Sequence, residues 1–256
     1  WMSEKGSEIW TTEAWYTMNN ISSEAGFRTT KPFSLSDNTL SPAEKDAGWE
    51  LLFDGESTDG WKGYKTDSVG SSWVVENGIL TLNSEKQPDG SFKAVDGGDL
   101  MTKNTYKDFE FTVDWRISPC GNSGIIYYIH EDDDYDDTYQ TGPEMQILDD
   151  ACHPDTKYPT HRAGDLYDMI EGKYKTVKPA GEWNTSRIVS KDGKVEQWQN
   201  GRKIVEFTMF DDSWKQMVAN SKFAEWEGFG EYNVGHIALQ DHDDPVYFKN
   251  IKIRKL

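Results

Sequence analysis

Residues 187–207, "RIVSKDGKVEQWQNGRKIVEF", consist of three short apolar-rich runs joined by Asp192-Gly193 and Asn200-Gly201. A two-residue hairpin turn of the kind that matches strand twist needs positive φ at both central positions, which Asp-Gly and Asn-Gly tolerate. The stretch therefore predicts three consecutive antiparallel strands. The same signal recurs upstream in "SWVVENGILTL", where Asn77-Gly78 separates two apolar runs. In "DFEFTVDWRI", Phe109, Phe111, Val113, Trp115 and Ile117 alternate with Glu110, Thr112, Asp114 and Arg116, the period of a strand with one buried face. "GIIYYIH" is apolar on both faces and predicts an interior strand; "GHIALQDH" and "VYFKNIKIRKL" predict two more.

Helical signals are short. In "LSPAEKDAGWELLFDG", Ser41 is placed as an N-cap, Pro42 suits the first helical position, and Glu44 completes a capping box. "DSWKQMVANSKFAEW" spaces Trp214, Met217, Val218 and Phe223 near a helical period and predicts a helix or loop excursion over 211–226. The expected fold is all-β, a single antiparallel sandwich over residues 41–256 with minor short helices. Residues 1–40 are polar, with a short helix suggested around Trp10, Ala14 and Met18, and are expected to form an N-terminal extension packing on the main domain.

Twenty-seven Lys and Arg stand against 45 Asp and Glu, a formal charge of -18. Such a surface repels phosphate backbones and anionic lipid, so nucleic acid is not an expected partner. No apolar run approaches the roughly 18 residues of a membrane helix. The chain starts at Trp1, so it is read as a trimmed form in which a signal peptide is not visible. Aromatic residues reach 13%, with 11 Trp, which serves a β core and also offers rings for stacking on sugars. Cys120 and Cys152 admit one disulfide or two free thiols.

Polar side chains interrupt two of the predicted strands. In "GPEMQILDDACHPD", residues 142–155, Glu144 and Gln146 share one face while Met145 and Ile147 take the core face. Asp149 joins the polar face only through a bulge, a device common beside active sites. In "ALQDHDD", Ala238, Gln240 and His242 share one face if the strand continues, and a histidine there suits a general base or a metal ligand. "SPCGNSGIIYY" places Asn122 between glycines that allow close approach of a ligand. The long irregular segment "CHPDTKYPTHRAGDLYDMI" adds His153, His161 and Tyr167. "EDDDYDDTY", residues 131–139, lacks the glycine and terminal acid of a helix-loop-helix calcium site and reads as a solvated acidic loop.

Seven stretches in order, "GWELLFDGESTDGW", "NSGIIYY", "EMQILDDACHPD", "AGDLYDMI", "GEWNTSRIV", "VEQWQNG" and "IALQDHDDPVYFKNIKIR", resemble the bacterial 3-keto-disaccharide hydrolase family. The resemblance runs from about Ser41 to Leu256. It implies a concanavalin A-like jelly-roll sandwich of two antiparallel sheets. It also implies cleavage of glycosides oxidised at C3, by 1,2-elimination and hydration of the resulting 2-hydroxyglucal. A divalent metal is implied for some members, with no organic cofactor, a carbohydrate as partner, and an extracytoplasmic location. Under this resemblance Glu144 and His242 are expected as the proton-transferring pair. Gln146, Gln240 and Asp149 are expected to orient hydroxyls or ligate a metal, and Asn122, His153 and Arg187 to line the pocket, Arg187 sharing a strand face with Trp183. Cys120 and Cys152 flank that site, and a disulfide tying the two loops together is the expectation they carry. Two rivals stand beside this reading. The spacing of Glu144, Gln146 and Asp149 is similar to the carboxylate motif of retaining jelly-roll glucanases, and a sandwich with aromatic sites also serves as a non-catalytic carbohydrate-binding module.

Overall fold

Asn77, Asp192 and Asn200 have φ of 52°, 50° and 48°, and the glycines that follow them have φ of 77°, 78° and 77°. All three hairpin turns thus form with both central residues left-handed, as their sequences require. The computed structural model describes residues 36–256. The helix suggested around Trp10 and Met18, and all but the last five residues of the expected extension, lie outside the described residues.

The strands are β1 (Glu50–Leu51), β2 (Trp61–Gly63), β3 (Trp73–Glu76), β4 (Ile79–Leu82), β5 (Glu85–Lys86), β6 (Phe92–Lys93), β7 (Leu100–Thr102) and β8 (Phe109–Ile117). They continue as β9 (Asn122–Ile129), β10 (Glu144–Leu148), β11 (Asn184–Lys191), β12 (Lys194–Gln199), β13 (Arg202–Thr208), β14 (His236–Leu239) and β15 (Val246–Lys255). The larger sheet runs β13-β12-β11-β8-β15-β4-β3, with β1 also on β15; the smaller runs β10-β9-β14-β7-β2; β5 and β6 form a separate hairpin. Pairing in both sheets is antiparallel. The fold is a concanavalin A-like jelly-roll sandwich of two antiparallel sheets. The helices are short: α1 (Pro42–Asp46), whose Ser41–Glu44 capping box forms as predicted, and α2 (Asp212–Ala219), capped by Asp211.

The two sheets meet through their apolar faces. Phe109, Phe111, Val113 and Trp115 of β8 pack in one core with Ile125 and Tyr127 of β9 and Met145 and Ile147 of β10. Each large side chain taken fully out of water contributes roughly 1.5–3 kcal/mol, which fixes the register of every strand that supplies one. The opposite face of the smaller sheet carries a second, smaller cluster of Met101, Ile126, Ile129 and Ala238. In register with it stand Glu144 opposite Ile126 and Gln146 opposite Gly124. At Tyr128, with φ of 59°, the ladder to β14 shifts by one residue between His236 and Ile237. The bulge turns Tyr128 coreward, where its hydroxyl lies 2.6 Å from both the Lys107 carbonyl and Ser190 Oγ.

Candidate active site

β10 lies at the margin of its sheet, and its outer edge is covered by the segment after His161. Gln146 N donates to Asp165 O at 3.1 Å, Gly164 N to Gln146 O at 2.8 Å and Tyr167 N to Glu144 O at 3.0 Å. An unpaired strand edge is thereby satisfied, and the same bonds set Tyr167 beside Glu144. The polar face of β10 then forms the floor of a cleft of about 290 Å³, together with Asn122 and Gln240. Gly124 is in contact with the Glu144 carboxyl, a position with no room for a Cβ. Gln240 N donates to Gly124 O at 2.9 Å, and its side-chain amide reaches toward Glu144 Oε2 at 3.5 Å. Asn122 Oδ1 and Gln240 Oε1 are buried and have no hydrogen-bond partner. Buried polar atoms are ordinarily paired, so two free acceptors on one floor point to a ligand with hydroxyl donors.

The opposite side of the cleft comes from the segment after α2. Lys222 enters with its ammonium 4.0 Å from the centre of the Tyr167 ring. Its position is fixed from behind: Lys222 N donates to Asp168 Oδ2 at 3.1 Å, and Asp168 Oδ1 lies 2.9 Å from His161 Nε2. Tyr139, Phe223, Trp226 and Phe229 build an aromatic wall, with Phe223 stacked on Phe229 at 3.9 Å and Tyr139 5.5 Å from Trp226. Such faces suit the C–H surface of a sugar ring.

The electrostatics of the cleft are set by burial. Glu144, only 7% exposed, has its pKa pushed up to about 8 by loss of solvent. The Lys222 charge and the Gln240 hydrogen bond work against that rise, while the Asp99 charge adds to it. Desolvation lowers the Lys222 pKa, opposed by Asp168, Glu144 and Asp155. Asp99 itself is raised to about 6, again mainly by desolvation, and its carboxylate accepts from Asp241 N at 2.8 Å. An acid raised and an amine lowered in one cleft is the pattern of groups that trade protons near neutral pH.

Of the residues expected from sequence, the structure brings together Glu144, Gln146, Asn122, Gln240 and His242. Four placements differ. β14 ends at Leu239, so Gln240 and His242 are not on a continuing strand; Asp241 and Asp243 fold the chain into a turn, and His242 is exposed at the rim of the cleft. Asp149 does not join Glu144 through a bulge, because the β10–β9 ladder is regular from Glu144 to Leu148. Its carboxylate instead accepts from Cys120 N at 2.8 Å and Ala151 N at 3.2 Å, holding the loops of the Cys120–Cys152 disulfide. The pair of close carboxylates that a retaining glucanase needs is therefore not formed by Glu144 and Asp149. Arg187 lies on β11 of the other sheet, on the face away from the core; it pairs with Glu110 at 2.5 Å and stacks over Trp198 at 4.9 Å, while Trp183 packs against Arg116 and Lys249. His153 caps a 3-10 turn through Asp155 N and lines a neighbouring cavity rather than this cleft.

Among the described residues, the one grouping of three His, Cys, Asp or Glu side chains close enough to share an ion is Cys120, Asp149 and Cys152. Its two sulfurs are bonded to each other. Of the residues that line the cleft, Glu144 and His242 are the acidic and imidazole donors, beside neutral amides and a lysine, a sparser set than the three or more such ligands a divalent cation usually takes.

Lys222, Tyr139, Phe223, Trp226 and Phe229 were not among the expected site residues. The segment 212–226 was legible as a helical excursion, but its period marks which residues pack against one another, not which cleft they border. The richness in aromatics was the one signal that pointed toward them.

A sandwich with a polar, aromatic-walled cleft serves both glycoside hydrolases and carbohydrate-binding modules, and the relatives of this chain put it with the enzymes, as a glycoside hydrolase. Comparison with known proteins gives the family: the chain belongs to the 3-keto-alpha-glucoside-1,2-lyase-like domain family, whose profile matches residues 48–254. It is 35% identical over 241 residues to a Bacteroides thetaiotaomicron protein named 3-keto-disaccharide hydrolase, a match covering 86% of this chain and 82% of that one. A crystal structure of a candidate glycosyl hydrolase from Parabacteroides distasonis superposes with a TM-score of 0.77 at 34% identity, covering 86% of this chain and all of that one. A second candidate glycosyl hydrolase from the same organism gives 0.59 at 26% identity, covering 81% and 99%.

Proposed function

We propose that the protein cleaves 3-keto-glycosides, with net hydrolysis reached by elimination and rehydration. The observation that carries this reading is the position of Glu144, a buried carboxyl with a pKa of about 8, on a floor of free amide acceptors and facing Lys222 at the solvent side of the cleft. A ketone at C3 makes the C2 proton acidic, and a base of that strength is matched to removing it near neutral pH.

Glu144 takes the C2 proton, and the electron pair moves into an enolate whose charge sits on the C3 oxygen. The Lys222 ammonium, which lines the solvent side of the cleft, is the positive group available to stabilise that oxygen. The enolate collapses: C3=O reforms, a C1=C2 double bond forms, and the C1–O bond breaks as His242 gives a proton to the departing oxygen. Rehydration reverses the roles. His242 takes a proton from water as its oxygen adds to C1, and Glu144 returns the proton to C2. Asn122, Gln146 and Gln240 hold the sugar hydroxyls, and the Trp226 side of the cleft stacks on the ring. The chain's own residues carry each of these proton transfers.

The Cys120–Cys152 disulfide persists in oxidising surroundings, which supports an extracytoplasmic location. No helix among the described residues is long and apolar enough to cross a membrane. The direct test incubates the protein with a 3-keto-glucoside and with the unoxidised glucoside, with and without chelator, and identifies the products. Release of aglycone and 3-keto-glucose from the first substrate alone is expected; turnover only of the unoxidised glucoside, or of neither, would sink the reading.

A further inference from the structure

His242 stands between two cavities. Its ring borders the cleft over Glu144 and also a more open cavity of about 430 Å³ beneath the β5–β6 hairpin. The hairpin contributes Gln87, Ser91 and Phe92 to this second space, and the turn after β14 contributes Asp244.

The second cavity is held in place by specific bonds. Lys93 at the hairpin base pairs with Asp243 at 3.0 Å, and Ala94 N donates to Asp243 Oδ1 at 3.0 Å. The hairpin tip is closed by Gln87 N donating to Ser91 O at 2.8 Å, and by Asp89, which accepts from Ser91 N at 3.0 Å and Ser91 Oγ at 2.7 Å. Asp244 accepts from Asn122 N at 2.9 Å, so one wall is continuous with the floor of the first cleft.

We propose that this second cavity is the leaving-group subsite and that it takes a pyranoside aglycone. The proposal rests on the keto-glycoside reading above and extends it to the other half of the substrate. The first cleft, at about 290 Å³, lies at the small end of ligand sites and suits one sugar ring. A disaccharide must therefore continue past its rim, and the rim residue shared with the second cavity is His242. The glycosidic oxygen then lies at the group that protonates it, with the keto-sugar over Glu144 and the departing sugar under the hairpin. Phe92 offers that sugar a ring face, while Gln87, Ser91 and Asp244 offer partners for hydroxyls.

The test compares Phe92→Ala and Gln87→Ala with wild type on two substrates, a 3-keto-disaccharide and methyl 3-keto-glucoside. Neither residue belongs to the catalytic cleft, and turnover of the methyl glycoside reports that each variant is folded. Contacts to the departing sugar give an expected loss of about 10-fold or more in kcat/KM on the disaccharide and less than about 2-fold on the methyl glycoside. Equal losses on both substrates, or none on either, would overturn the subsite while leaving the activity in place. Wild type that turns over neither substrate would remove the activity itself, and the subsite with it.

Discussion

The Glu144 carboxyl lies directly over Gly124, so closely that a Cβ at residue 124 would overlap Glu144 Oε1, Cδ and Cγ. Strand β9 thus leaves one side chain out so that β10 can project another, and the space is already filled by carboxyl. Gly124→Ala is expected to displace Glu144 from the cleft. A small-to-large change of this kind costs about 1–3 kcal/mol, and loss of a positioned base costs about 10²–10⁴ in rate. A thermal melt and kcat on a 3-keto-glucoside measure the two effects; a variant with normal kcat would show that Glu144 does not need this place.

Glu144→Gln separates the chemical role of the carboxyl from its burden on the fold. The native pKa of about 8 lies above the roughly 4.3 of an unfolded glutamate, so between those values the folded protein binds more protons than the unfolded one. Wild-type stability attributable to Glu144 therefore falls as pH rises through that window. The variant lacks this loss. Its stability relative to wild type is expected to rise from little change near pH 4 to a gain of up to a few kcal/mol above pH 8, while kcat falls by about 10²–10⁴. Denaturant melts at several pH values measure the first effect, and a pH-independent stability difference would contradict the placement of the charge.

Lys222→Met tests the cation. Removing a charge aimed at a developing oxyanion costs about 10²–10³ in kcat. A second consequence distinguishes electrostatics from simple packing: the Lys222 charge holds the Glu144 pKa down, so its loss raises that pKa further. The alkaline rise of kcat/KM, which follows ionisation of the base, is expected to move to higher pH in the variant. A profile that keeps its midpoint would leave Lys222 with a structural role only.

The elements readable from sequence were those whose causes are local. Asn77-Gly78, Asp192-Gly193 and Asn200-Gly201 each fix a turn within four residues, and the alternation from Phe109 to Ile117 fixes a strand face. Glu144 and Gln146 are legible because they interrupt an apolar strand, and Gln240 because it directly follows one that ends at Leu239. Lys222 is not, because its place depends on Asp168, 54 residues away in sequence, and on a cleft closed by five separate segments. Arg187 shows the converse limit. Alternation tells which residues share a face, but not that β11 belongs to the sheet remote from Glu144.

That correction has its own test. Arg187 pairs with Glu110 on the outer side of the larger sheet, and Glu110 keeps Arg254 as a second partner at 2.5 Å. Arg187→Ala should leave kcat/KM within about 2-fold of wild type and cost about 1 kcal/mol, the size of a part-exposed ion pair. A large loss of activity without loss of stability would return Arg187 to the site.

The disulfide couples the stability of the fold to the geometry of the floor. Cys120 and Cys152 close a loop with a sequence separation of 32 residues, and Asn122 stands two residues from one end of it. On the chain-entropy account a loop of that length contributes about 3–4 kcal/mol by restricting the unfolded chain. The Cys120→Ser/Cys152→Ser variant is therefore expected to melt lower by about 10 °C. Its effect on catalysis should be selective. Asp149 still accepts from Cys120 N, Asp244 from Asn122 N, and Leu148 still pairs with Asn122, but without the covalent tie the loop that leads into Asn122 is held by hydrogen bonds alone. If Asn122 binds hydroxyls as proposed and moves no protons, KM is expected to rise several-fold with little change in kcat. The comparison is made well below the melting point of the variant, where both proteins are folded. A fall in kcat at unchanged KM would place the disulfide's influence on Glu144 or His242 instead.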